Sequence, residues 1–117
     1  MRAVVLGLVG VLLAAGGAQA LGGEYQGKGG EGAWQLYAKI TPSKQGSYKV
    51  NLQATNATCA SMADGIGTLE GDILSVEGDC SLKISVKGQS LRVKEGSNCA
   101  AWHGASCSFD GALRQTE

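Results

Sequence analysis

The segment Asn98–Arg114, NCAAWHGASCSFDGALR, gathers many of the chain's reactive side chains: Cys99, Trp102, His103 (the single histidine), Ser106, Cys107 and Asp110. A nucleophile–base device needs a serine or cysteine within hydrogen-bond reach of a histidine, with a carboxylate to orient the ring. Ser106 or Cys107 with His103 and Asp110 is the local set of that kind. A cysteine held in a disulfide is no nucleophile, and Ser106 belongs to a tight Gly-Ala-Ser turn, so no enzyme is expected. The acids Glu70, Asp72, Glu77 and Asp79 fall at turns, where solvation accounts for them. One histidine with scattered acids is a poor ligand set, and the cysteines lack the C-x2-C pairs of a zinc site. Neither metal nor cofactor is expected.

The four cysteines, Cys59, Cys80, Cys99 and Cys107, follow one another at intervals of 21, 19 and 8. An even count in a short exported chain reads as two disulfides, with three connectivities open. Pairing of sequence neighbours, Cys59–Cys80 with Cys99–Cys107, is the expected one. A Cys99–Cys107 bridge would clamp the loop that carries Trp102 and His103. A loop ordered before binding loses less entropy on association, and exposed tryptophan is a frequent interface anchor. Trp102 either serves that way or plugs the mouth of a small barrel; His103, beside Gly104, is expected to be exposed.

A second candidate surface is cationic. Lys83, Lys87, Arg92 and Lys94 occupy outward positions of one hairpin. They are suited to an acidic cleft, or else form a solvated face with edge lysines that block strand pairing. Asn56-Ala57-Thr58 has the spacing of a glycosylation sequon, to which no weight is attached.

The elements that must position these groups are strands. AWQLYAKIT sends Trp34, Leu36, Ala38 and Ile40 one way, and SYKVNLQAT does the same with Tyr48, Val50, Leu52 and Ala54; PSKQG joins them. Such alternation across a glycine-containing loop is an antiparallel hairpin. GIGTLEGDILSVEG reads as two strands turning at Gly71-Asp72. CSLKISVKGQSLRVKEG turns at Lys87-Gly88-Gln89, with Cys80, Leu82, Ile84, Val86, Leu91 and Val93 inward. A last strand is expected in SCSFDGALR and a first around Glu24–Lys28. The chain is therefore all-β: a small antiparallel meander closing into a barrel of seven or eight strands with a packed interior, a two-sheet sandwich being the alternative.

MRAVVLGLVGVLLAAGGAQA has a basic start, an apolar run and an Ala18-Gln19-Ala20 cleavage site, the pattern of a secretory signal peptide. Residues 1–20 are thus expected to be removed, leaving residues 21–117 as one domain. Without Arg2, nine basic residues face ten acidic ones, which gives no electrostatic reason for a nucleic-acid partner. The apolar run is too short for a membrane anchor.

An export signal, a run of meandering strands and the terminal C…GASCSFDGALR together resemble the periplasmic and membrane-bound inhibitors of c-type lysozyme. In layout the resemblance covers Leu21–Arg114, and in motif it covers Cys99–Gly111. It implies a bacterial periplasmic location, a small antiparallel barrel, and a lysozyme partner whose cleft receives a serine and a lysine from barrel loops. The family's SGSGAxY-like stretch is not found; ASCSFDGAL is the nearest analogue, with Leu113 where an aromatic is expected. On charge, an anionic cleft favours Lys87 or Lys94, with Ser90. Trp102, His103, Lys87, Ser90 and Lys94 are accordingly the candidate binding residues. The alternatives are a structural or stress protein of the envelope, and a carrier of a small apolar ligand.

Overall fold

The computed structural model describes residues 21–116; the signal peptide expected over residues 1–20 lies outside the described residues. Eight antiparallel strands follow one another as a meander: β1 (Gly23–Gly29), β2 (Trp34–Pro42), β3 (Ser47–Asn56), β4 (Cys59–Glu70), β5 (Ile73–Gly78), β6 (Leu82–Lys87), β7 (Ser90–Glu95) and β8 (Gly111–Gln115). Pairing of β8 back onto β1, with Gly27 opposite Leu113, closes them into a barrel and not a sandwich.

The expected alternation is what sets the register. Leu36, Ala38 and Ile40 of β2 lie opposite Ala54, Leu52 and Val50 of β3, all buried. Tyr25, Phe109, Ile40, Leu52, Leu74, Ile84, Leu91 and Leu113 are the largest fully buried side chains and fill the interior. The Tyr25 hydroxyl satisfies itself by donating to the Leu21 carbonyl at 2.7 Å, and burial pushes its phenol pKa up. Closure requires close backbone approach: a Cβ on Gly27 would run into the main chain at Ala112 and Leu113, so only glycine lets β1 lie that near β8.

Because the strands alternate in direction, their connections gather at two rims. One rim holds the β2–β3, β4–β5 and β6–β7 turns. The last two are two-residue loops that begin with a glycine at positive φ, Gly71 (62°) and Gly88 (59°), as tight hairpins demand. The other rim holds the β1–β2, β3–β4 and β5–β6 links, together with the long β7–β8 connection that caps it.

Both disulfides fasten that cap, with a pairing that differs from the expected one. Cys59 joins Cys107 and Cys80 joins Cys99, with Cα separations of 6.5 and 4.9 Å. The bridges are nested: the first cysteine joins the last, and the middle two join each other. Cys99 lies over the β5–β6 link, whereas Cys107 lies over the start of β4, so the connection spans the mouth and is pinned at both ends. In the chain-entropy description the observed loops, of separation 48 and 19, stabilise by about 4 and 3 kcal/mol, somewhat more than the neighbour pairing would. The last strand is also shorter than expected. Cys107 and Phe109 point inward, but the ladder begins only at Gly111, because the Phe109 and Asp110 N–H groups are taken by the Glu95 carboxylate and the Ser108 hydroxyl.

Candidate functional site

The capped rim is organised around Glu95, the last residue of β7. Its carboxylate Oε2 accepts the Phe109 N–H at 2.7 Å, while its own N–H donates to Asp110 Oδ1 at 2.7 Å. The two acids thereby lock the end of β7 to the segment leading into β8. Asp110 extends the lock to β2, since its carbonyl accepts the Trp34 indole N–H at 3.0 Å. His103 completes the group. Its Nε2 lies 2.8 Å from Glu95 Oε2, an ion-pair distance. Its Nδ1 lies 2.8 Å from the Gly104 carbonyl, and its ring packs edge-on against Phe109 with centroids 5.4 Å apart.

Both ring nitrogens of His103 therefore face acceptors, an environment that the doubly protonated imidazolium satisfies. Burial opposes the charge, but the Gly104 carbonyl, Glu95 and Asp110 outweigh it, and the His103 pKa is raised above 6.5. A general base needs a ring nitrogen free to take a proton, and here both nitrogens already face acceptors. Nor does a nucleophile face it: Ser106 Oγ pairs with Thr58 Oγ1 at 2.6 Å and Cys107 is in a disulfide. Among the described residues no cluster of three or more His, Cys, Asp or Glu is arranged to hold a metal ion.

Trp102 takes the exposed of its two expected placements, whereas His103, expected to be exposed, does not. The indole is 45% exposed on a single helical turn, Ala100–Trp102, whereas the imidazole is only 12% exposed. Phe109, fully buried, occupies the interior at this end, so Trp102 is free to face outward beside an open recess edged by Thr58, Ala60 and Ser61.

Asn56 was assigned no structural part by sequence reasoning. At the β3–β4 turn its carbonyl oxygen accepts from the backbone of Thr58 (2.8 Å) and of Cys59 (2.9 Å), and its amide nitrogen donates to the carbonyls of Ser106 (2.8 Å) and Ala33 (3.2 Å). The sequon spacing thus coincides with a self-bonded turn of the Asx kind, which the triplet itself permits.

The remaining candidate residues lie elsewhere. Lys87 and Ser90 flank the β6–β7 turn at the opposite rim, in register with each other, while Lys94 sits four residues along β7, about 13 Å nearer the cap. The five predicted binding residues are therefore not one site: Trp102 and His103 belong to the cap, Lys87 and Ser90 to the far rim, and Lys94 to the wall between. Barrel closure adds a residue to the Lys87–Ser90 group that was not singled out. Arg114 of β8 is in register with Ser90 and donates to its hydroxyl at 3.3 Å. No carboxylate among the described residues lies within ion-pair distance of Lys87 or Arg114, the pair between His103 and Glu95 being the one formed there.

Comparison with family models, with curated proteins and with solved structures finds no match to this chain.

Proposed function

We propose that the chain is a periplasmic binding protein, not an enzyme, and that it inhibits c-type lysozyme by presenting the β6–β7 turn to the anionic cleft. The observation that carries this reading is the turn itself. Lys87 and Arg114 flank Ser90 at a projecting two-residue hairpin, and neither cation is neutralised by a carboxylate among the described residues. A narrow, rigid tip bearing a hydroxyl between two cations suits a groove lined by catalytic carboxylates, where charge complementarity speeds encounter and fixes register. It supplies the serine and the cation that the family resemblance requires, from the barrel's own hairpin. The two disulfides favour an oxidising compartment. An apolar-ligand carrier is less well supported, since Tyr25 and Phe109 occupy the interior such a ligand would need.

The test is inhibition of hen and human lysozyme on a cell-wall substrate. Purified protein slows lysis at micromolar concentration, with potency falling as salt rises from 20 to 200 mM. The double variant Lys87→Gln, Arg114→Gln weakens inhibition at least about tenfold. Unchanged lysis at micromolar protein removes the proposal. A carrier would instead release an extractable apolar molecule.

A further inference from the structure

The barrel closure produces a cationic wall that neither the capped rim nor the hairpin tip accounts for. Strands β6, β7, β8 and β1 are consecutive neighbours, and their outward positions carry Lys83, Lys87, Arg92, Lys94, Arg114 and Lys28, six of the chain's ten lysines and arginines. All six are exposed. Four of them edge one shallow groove of about 710 Å³, together with Ser85 and Gln26. The one acid at an outward position of these strands is Glu24, at the far end of β1 beside Lys39 of β2.

The registers place the charges in an array. Ser85, Arg92, Ala112 and Lys28 form one row across the four strands, and Lys87, Ser90, Arg114 and Gln26 the next. With strands about 4.8 Å apart, the two cations of each row stand about 10 Å apart, and the rows are about 7 Å apart. Lys83 and Lys94, directly opposite each other, form a third row. These separations are close to the Debye length, so the potentials of the six charges reinforce one another.

Two observations argue that the array is more than a solvated surface. Lysines on outer strands ordinarily protect an exposed edge, but a closed barrel has no edge for them to protect. The Lys83–Lys94 pair is moreover a like-charge cross-strand pair, which weakens a sheet and which an opposite charge at either position would relieve.

We propose that this wall binds an acidic polysaccharide, a linear chain bearing repeated carboxylates. The two arginines offer planar forks to carboxylates, and Ser85, Ser90 and Gln26 are placed between the cations to meet sugar hydroxyls. Other polyanions fit less well. The exposed large apolar side chains among the described residues, Met62, Ile66 and Trp102, lie outside this wall, which has nothing to insert into a bilayer and no aromatic on which bases could stack.

The experiment measures binding of the full protein to polygalacturonate, with phosphatidylglycerol vesicles and duplex DNA as parallel probes, at 20 to 200 mM salt. Wild-type protein binds polygalacturonate more tightly than the other two, and binding weakens as salt rises. Lys28→Gln with Arg92→Gln, the row next to the hairpin tip, reduces affinity about fivefold. Lys49→Gln, on β3 outside the wall, leaves it unchanged. Circular dichroism identifies any variant that fails to fold, and Lys83→Gln with Lys94→Gln then provides the independent pair. No binding by wild type, equal binding by the wall variants, or equal or tighter binding to vesicles or DNA overturns the proposal. Lysozyme inhibition by Lys28→Gln with Arg92→Gln is measured alongside and falls less than that of Lys87→Gln with Arg114→Gln, so the two readings fail separately.

Discussion

His103 shows how a local environment sets a protonation state and hence a stability profile. Burial disfavours its charge, but the Gly104 carbonyl and the carboxylates of Glu95 and Asp110 favour it more, so the folded protein holds the proton more tightly than the unfolded chain does. A group with a raised folded pKa stabilises the fold fully below its ordinary value of 6.5, and that contribution is lost as pH rises through the folded value. The thermal midpoint of the wild type should therefore fall more between pH 6 and pH 9 than that of His103→Gln. A proton NMR titration of the ring should give a midpoint above 6.5, brought down in Glu95→Gln; a wild-type midpoint below 6.5 would contradict the ion pair. Asn56 is a second residue-scale test. Replacing it with alanine leaves the Thr58 and Cys59 amides and the Ser106 carbonyl without their partner, and should cost about 1–3 kcal/mol in denaturant unfolding. Loss of a glycan cannot mimic that result in protein made without glycosylation.

Among the elements, the β7–β8 connection has the most distinctive construction. It is a cap without regular strand, stapled to the β5–β6 link at Cys99 and to the start of β4 at Cys107. Peptide mapping without reduction should recover Cys59 with Cys107 and Cys80 with Cys99. Replacing the first pair by serine should cost more stability than replacing the second, about 4 against 3 kcal/mol. Gly27→Ala should open the seam between β1 and β8 and cost more than about 2 kcal/mol, read as a lowered denaturation midpoint. The strands themselves were legible in the sequence, because alternation of period two states which side chains meet: Tyr48, Val50, Leu52 and Ala54 are all buried as their spacing requires. The disulfide pairing was not, since it depends on which connections share a rim, and rims exist only once all eight strands have alternated. The same holds for Arg114, whose nearness to Ser90 arises from register between β7 and β8 and not from proximity in the chain. The burial of His103 escaped the sequence for a comparable reason. Glu95, which holds the imidazole, lies eight positions away and across the cap, and no local pattern announces it.

At the scale of the whole molecule, a chain of balanced formal charge becomes a body with uneven sides. Ten basic and ten acidic residues give a net charge of +0, a figure that conceals the gathering of six cations on four adjacent strands. Net charge therefore gave no reason to expect a nucleic-acid or anionic-membrane partner, whereas topology gathers the cations along a wall and at a tip. The cap is held by disulfides and an acid–histidine group at one rim, and the unneutralised cations stand along the wall and at the opposite rim. On the proposed reading, stabilisation and recognition fall to different ends of the same barrel. The most direct test of that division is amide chemical-shift mapping of isotopically labelled protein as c-type lysozyme is added. Perturbations concentrated at Lys87–Ser90 and around Arg114, with the resonances of Ala100–Gly104 unmoved, are the predicted outcome. Shifts centred on the cap, or none at saturating lysozyme, would contradict the account.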